Sequence, residues 1–141
     1  MSGFLLDTNC VSEFVRVRPD KRVMEWLDAV DEGVLHLSVL TLGEIRKGVA
    51  ALPQNKRRAQ LETWLEVELR ARFSGRILPI DAAVADRWGL LAAQGKRKGA
   101  PLAIIDGLLA ATAIRYNLTV VSRNSSDFAD AQVRVLNPWE E

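Results

Sequence analysis

The sequence predicts an α/β fold: a mostly parallel central sheet of four to five strands, flanked by helices on both faces. Short apolar runs alternate with longer stretches of helical periodicity along the whole chain. The short runs are almost continuously apolar, as in strands that are buried on both faces. Strands and helices that alternate in this way form parallel sheets covered by helices.

The first half of the chain supplies the first two strands. Residues 4–6 form an apolar run that stops at Asp7, and residues 11–15 resemble one or two helical turns. Asp20 is placed to cap a second helix, which Gly33 would end. Residues 34–39 predict the second strand.

The remaining elements follow the same alternation. Residues 40–51 predict a third helix, and residues 56–73 carry the longest amphipathic stripe. A short third strand at 77–80 contains a proline, which favours an edge position. Asp81 then caps another helix. The last predicted elements are a helix at 104–114 that is apolar on nearly all sides, a strand at 118–122 and a short strand at 133–136.

Composition sets limits on the class of protein. With 141 residues and no linker or repeat, the chain predicts a single domain over 1–141. Cys10, the one cysteine, is expected to be a small buried apolar residue. No apolar run approaches the roughly 20 residues that span a bilayer, and the start does not resemble a signal peptide, so we expect a cytoplasmic protein without a membrane partner. The net charge of +1 excludes a globally basic nucleic-acid binder but not local basic patches.

Three acids stand where chemistry is expected. Asp7 follows the first strand, and ligands of open parallel sheets bind at the carboxyl ends of strands. Asp7 also fits a plain helix cap. Glu44 lies about one turn past the second strand, although residues 41–44 also fit a capping box. Asp106 is surrounded in its helix by apolar residues, where an unpaired carboxylate is costly, and a bound cation would offset that cost.

The loop after the fourth strand adds further polar candidates. Asn124 and Asp127 are ordinary turn residues, but their loop opens at the same edge of the sheet. Ser122 is placed to orient a neighbouring carboxylate by a hydrogen bond.

Oxygen ligands without cysteine or histidine partners indicate a hard cation, Mg²⁺ or Mn²⁺. His36, the one histidine, lies inside a strand, so the usual zinc sites cannot be assembled. Carboxylates around such a metal fit phosphodiester hydrolysis. Arg46 and Arg123 flank the proposed site and are candidate RNA contacts. The basic runs at 56–58 and 96–98 are each more typical of a solvated face.

Several segments together resemble PIN-domain proteins of the VapC type, the toxins of bacterial type II toxin–antitoxin pairs. The segments are 5–13, 38–48, 105–113, 121–128 and 137–139, in the family's order and spacing. The resemblance covers nearly the whole chain. It implies a Mg²⁺-dependent endoribonuclease, with Mn²⁺ as a substitute, that cuts RNA and is inhibited by a cognate antitoxin.

The resemblance also implies roles for individual residues. Asp7 and Asp106 would bind the metal most directly, and Glu44 would complete the ligand set or act through water. Asn9 and Ser12 would orient Asp7 or a bound water. Asn124 departs from the family, since some members carry an acid there, so Asp127 is the alternative fourth residue.

The family's partners follow in the same way. The resemblance implies a homodimer, or a larger hetero-oligomer with the antitoxin, and contact with operator DNA only through that antitoxin. The tryptophans are candidate contributors to an apolar groove for the antitoxin. Two alternatives stay open: a catalytically weak or inactive PIN-fold binding module that acts through a DNA-binding partner, and an enzyme that forms an aspartyl phosphate at Asp7. The second conflicts with Asn9, because that chemistry favours an acid at this place.

Overall fold

A computed structural model describes residues 3–129 and 131–140. The sheet contains five parallel strands in the order β3-β2-β1-β4-β5. The strands are β1 (Phe4–Leu6), β2 (Leu35–Ser38), β3 (Ile77–Leu78), β4 (Thr119–Val121) and β5 (Val135–Leu136). The helices are α1 (Thr8–Ser12), α2 (Lys21–Ala29), α3 (Val39–Ala50), α4 (Lys56–Thr63), α5 (Arg70–Arg72), α6 (Ala82–Arg97) and α7 (Ile104–Arg115).

Strand β1 lies at the centre of the sheet. It pairs with β2 on one side, with Phe4 opposite Leu35, and with β4 on the other, with Leu6 opposite Val121. Leu5 and Leu6 are fully buried. The predicted parallel sheet is therefore confirmed, and β3 lies at an edge as expected. The strand is shorter than the predicted 77–80, because it ends at Leu78, before the proline.

Each face of the sheet has its own apolar core. Successive side chains of a strand point to opposite faces, so Leu6 joins the core beneath α2 and α3 while Leu5 joins the core beneath α6 and α7. Phe73, which follows α5, is among the largest fully buried side chains of the first core. The two-sided helical cover predicted from the sequence is present.

Some boundaries differ from those predicted. Helix α2 ends at Ala29, before Gly33, which instead belongs to a short 3₁₀ turn at Glu32–Val34. The amphipathic stretch 56–73 is interrupted by a π-helical segment at Trp64–Leu69. Asp20 and Asp81 cap α2 and α6 as predicted.

The side chain that caps α3 also differs from the prediction. Ser38 accepts a hydrogen bond from the backbone N–H of Leu40 at 3.0 Å. Residues 41–44 therefore do not form a capping box, and Glu44 lies inside the helix with no capping duty. Among the described helices, none is both long and apolar enough to cross a membrane.

Candidate active site

Asp7 lies immediately after β1, at the carboxyl edge of the sheet. Its backbone N–H donates to the carbonyl of Val121 at 2.9 Å, which continues the pairing with β4. The side chain is 8% exposed. One carboxylate oxygen accepts from the backbone N–H of Thr8 at 2.8 Å, and the other accepts from Ser122 Oγ at 2.7 Å. Asp7 thus caps α1, as the plain interpretation predicted, and still points one oxygen at the loop after β4.

Ser122 ties that loop to the site. Besides donating to Asp7, its Oγ accepts from the backbone N–H of Asn124 at 3.0 Å. Asn9 Oδ1 accepts from the backbone N–H of Arg123 at 3.3 Å, and Asn9 Nδ2 lies 3.5 Å from Ser122 Oγ. The side chain of Asn9 therefore supports the loop and reaches Asp7 only through Ser122.

Glu44 reaches the site through a residue that the sequence analysis missed. Thr8 Oγ1 donates to Glu44 Oε1 at 2.5 Å, joining the first turn of α1 to α3. The only sequence signal for this contact was the position of Thr8, directly after Asp7. Because Glu44 is not used in a cap, its carboxylate is free to face the acids at the strand ends.

Asp106 and Asp127 share a cavity at the same edge. Asp106 lies in the first turn of α7, where it is partly buried rather than enclosed by its apolar neighbours. Asp127 lies in a 3₁₀ turn at Ser125–Phe128 and is exposed. The two acids line the cavity together with Ser126 and the loop at 100–103.

Burial and the charges of neighbouring acids act on Asp7 and Asp106. Burial raises the pKa of Asp7, and the charges of Glu44 and Asp127 raise it further, against the hydrogen bonds from Ser122 and Thr8. Burial also raises the pKa of Asp106, followed by the charges of Asp127, Asp7 and Glu44. Within residues 3–129 and 131–140, no basic side chain forms a salt bridge with any of these four acids. The edge of the sheet is therefore a site of uncompensated negative charge.

Other predicted residues lie further from the acids. Ser12 has no side-chain hydrogen bond within the described part of the chain, so no contact accompanies its expected supporting role. Arg46 is paired with Glu66 at 2.8 Å, and its place two residues after Glu44 turns it to another side of α3. Arg123 is exposed and its guanidinium lies 5.9 Å from the ring centre of Trp139. Arg123 thus remains the better placed of the two candidate RNA contacts.

The cysteine, the histidine and one tryptophan singled out from the sequence lie outside the acidic site. Cys10 is buried, as expected, and burial raises the pKa of its thiol to about 12. Trp139 is 5% exposed and belongs to the core, which removes it from the candidates for a surface groove. His36 in β2 lies with Nδ1 3.1 Å from the carbonyl of Val34.

The donor set fits a hydrated divalent cation. No three acid, histidine or cysteine side chains among the described residues converge tightly enough to enclose a bare ion. Mg²⁺ does not need such a cage, because it keeps several waters and is usually held by one or two carboxylates. The charge of Asp7, which is buried at the end of β1, raises the pKa of Asp106, so these two carboxylates are the best placed for this role.

Comparison with known proteins identifies the family. The PIN domain family model matches residues 4–133. The VapC ribonuclease Y4jK of Sinorhizobium fredii is 39% identical over 136 residues, covering 96% of this chain and 97% of that protein. Toxin FitB of Neisseria gonorrhoeae is 41% identical, covering 97% and 99%. The crystal structure of FitAcB from Neisseria gonorrhoeae matches with a TM-score of 0.93 at 40% identity, covering 98% of this chain and 99% of the matched one. The chain belongs to the PIN-domain family, in the group that contains the VapC and FitB toxins.

Proposed function

We propose that this protein, acting as a single domain, is a metal-dependent endoribonuclease that hydrolyses phosphodiester bonds of RNA. The observation that carries the proposal is the meeting of acids from four separate elements at one edge of the sheet. Asp7 follows β1, Glu44 lies in α3, Asp106 lies in α7 and Asp127 follows β4. The charges of neighbouring acids in this group raise the pKa of Asp7 and the pKa of Asp106. A fold gains nothing in stability from such repulsion, whereas a cation site requires it.

The residues of the site would divide the work as follows. Asp7 and Asp106 would hold Mg²⁺ or Mn²⁺, with Glu44 and Asp127 nearby. A bound divalent cation lowers the pKa of water and offsets charge that develops on the phosphate and the leaving oxygen. Ser122 holds the carboxylate of Asp7 in one orientation, and Thr8 does the same for Glu44. Fixed orientation matters because small displacements of such groups are costly in rate.

We assign the fourth site position to Asp127 rather than Asn124. The charge of Asp127 acts on both Asp7 and Asp106, and its side chain lines the cavity that contains Asp106. Asn124 contributes its backbone N–H to Ser122 and its carbonyl to the N–H of Asp127 at 3.0 Å. The backbone of Asn124 therefore stabilises the shape of the loop.

The relatives support a role as the toxin of a toxin–antitoxin pair, and we propose that the chain acts in the cytoplasm. They include proteins named Toxin FitB and VapC ribonuclease Y4jK, and a solved structure of FitAB bound to a DNA fragment matches at 40% identity with a TM-score of 0.91. We propose that a cognate antitoxin inhibits this chain and carries any contact with operator DNA, and that the chain forms a homodimer or a larger hetero-oligomer. A mainly apolar cavity beside Glu44, with Val39 at its rim, is a surface that an antitoxin segment would cover.

A second candidate function is a catalytically weak binding module that acts only through its DNA-binding partner. The amide at Asn124, where some family members carry an acid, is the observation that favours it. Such a module would keep affinity for its partner and show no metal-dependent cleavage.

Incubation of the purified chain with RNA separates the two functions. We expect cleavage with Mg²⁺ or Mn²⁺, none after addition of EDTA, and none by Asp7→Asn or Asp106→Asn variants that still bind the partner. The matched control is Asp86→Asn, which neutralises an exposed carboxylate on α6 and should cleave normally. Absence of cleavage by the unsubstituted protein, with partner binding intact, would establish the binding module instead.

An experiment in cells tests the toxin role. Expression of the chain alone should arrest growth, and co-expression of the adjacent upstream reading frame should relieve the arrest. The Asp7→Asn variant should not arrest growth. Equal arrest by Asp7→Asn would show that toxicity does not come from this site.

A further inference from the structure

The end of α6 carries three consecutive cations that the fold does not use. Lys96, Arg97 and Lys98 are all exposed. Within the described ranges, none of the three side chains takes part in a hydrogen bond, a salt bridge or a ring contact. Cations in a last helical turn complement the helix dipole, but that effect does not require three in succession.

The other basic run, at 56–58, has structural duties. Arg57 donates to the carbonyl of Val15 at 2.5 Å, and Arg58 donates to the carbonyl of Leu52 at 3.0 Å. Arg58 also lies 3.7 Å from Glu62 in an ion pair. The two arginines of this run brace α4 against neighbouring segments and already have partners. The run at 96–98 is different because its charges remain available.

Close packing joins the run at 96–98 to the acidic edge of the sheet. The backbone N–H of Ala100 donates to the carbonyl of Gly95 at 2.9 Å. A Cβ on Gly95 would stand 2.9 Å from the carbonyl oxygen of Ala100, so the chain folds back tightly onto the last turn of α6. Gly99, with φ of +70°, makes this reversal in a conformation that favours glycine. Residues 100–103 then line the same cavity as Asp106 and Asp127.

We propose that Lys96, Arg97 and Lys98 form a phosphate-binding track that holds the RNA backbone next to the acidic site. The inference rests on the proposed ribonuclease function and adds the path of the substrate. An RNA strand is repelled by four carboxylates, so cations beside them are needed to bring the scissile phosphate close. Three unpartnered cations that directly precede the loop lining the cavity, at 100–103, meet that need. Contacts to phosphates position a strand and carry no sequence information, so the track binds RNA without reading its sequence.

The test compares two triple variants that lose the same charge. The track variant is K96Q/R97Q/K98Q. The control is R70Q/R115Q/R134Q, whose three exposed arginines lie shortly before β3, β4 and β5 and therefore at the opposite, amino edge of the sheet. Both are made in the Asp7→Asn background, so that binding of a single-stranded RNA is measured without cleavage, over a series of salt concentrations.

We expect the track variant to bind RNA at least about tenfold more weakly than its background. We also expect the slope of log affinity against log salt to fall by about two, since each phosphate contact on a single strand contributes about 0.7. The control should keep the slope of the background. An equal loss in both variants would reduce the effect to net charge and overturn the proposal, as would no loss in either.

Two further outcomes have separate meanings. Weakened binding of the protein partner with unchanged RNA binding would show that the track serves that partner, and would overturn the proposal. If the unsubstituted protein neither binds nor cleaves RNA, the ribonuclease function itself fails, and this is known before any track variant is compared. If the unsubstituted protein cleaves RNA but the track variant binds RNA as well as its background does, only the proposed track is overturned.

Discussion

Removal of the Thr8 hydroxyl tests how strictly Glu44 must be held. In Thr8→Val the side chain keeps its shape, and the backbone N–H still donates to Asp7. The one loss is the 2.5 Å hydrogen bond to Glu44 Oε1. Hydrogen bonds to charged groups contribute about 1.5–3 kcal/mol. If that amount stabilises the active arrangement of Glu44, cleavage should fall by about 10- to 150-fold.

The assay is RNA cleavage measured over a range of Mn²⁺ concentrations, with calorimetric titration of Mn²⁺ as a second measurement. Groups that orient metal-binding carboxylates typically influence metal affinity by about 10- to 100-fold. We therefore expect Thr8→Val to need more Mn²⁺ for half-maximal cleavage, while its unfolding free energy falls by no more than about 1.5–3 kcal/mol, the amount that such a hydrogen bond contributes. Thr8→Ser, which keeps a hydroxyl, should restore most of the activity.

Two results would refute this reasoning. An unchanged Mn²⁺ dependence in Thr8→Val would mean that Glu44 needs no orientation. Equal impairment in Thr8→Ser and Thr8→Val would mean that the threonine methyl, through packing, matters more than its hydroxyl.

Four further predictions concern stability, pH and the fourth acid. Asp7→Asn should stabilise the metal-free protein at neutral pH, as measured by urea unfolding, because it removes a buried charge repelled by its neighbours, and it should abolish cleavage. The folded state raises the pKa of Asp7, so between the pKa of the unfolded chain and that of the folded chain, only the folded chain holds this proton. The unfolding free energy of the metal-free protein should therefore fall as pH rises through the raised pKa. Asp7→Asn should flatten this part of the pH profile. Gly3→Ala should destabilise the fold by about 1–3 kcal/mol, because its Cβ would stand 2.6 Å from the carbonyl oxygen of Val34, without a change in the metal dependence of cleavage. Asp127→Asn should reduce cleavage more than Asn124→Ala, and the reverse order would move the fourth position to Asn124.

The architecture was predictable because apolar runs identify buried strands whatever surrounds them. Residues 4–6 were predicted to be a strand buried on both faces, and they form β1 with Leu5 and Leu6 fully buried. Helix boundaries were less predictable because competing caps lie close together. Ser38 and Thr41 both suit the first position of α3, and the choice depends on where β2 stops pairing. The π-helical segment at Trp64–Leu69 depends on tertiary packing that no local pattern records.

In the candidate site, too, some features were predictable from the sequence and others were not. Acids at strand ends could be anticipated, since strand position alone brings them to one edge of the sheet. The contact of Thr8 with Glu44 joins residues 36 positions apart through side-chain rotamers, which a sequence pattern does not specify. Arg46 seemed close to the site along the chain, but helical geometry turns it to Glu66. Nearness in sequence therefore predicts an element's position better than a side chain's direction.

The partners of Glu32, a structural carboxylate, differ from those of Asp7 and Glu44. Glu32 is paired with Arg72 at 3.0 Å, and the hydrogen bond from Arg72 lowers its pKa. Asp7 and Glu44 are instead held by neutral hydroxyls, those of Ser122 and Thr8. An arginine partner fixes a carboxylate and cancels its charge, whereas a hydroxyl fixes it and leaves the charge in place. The second arrangement keeps an oriented negative charge, which is what the proposed cation site needs.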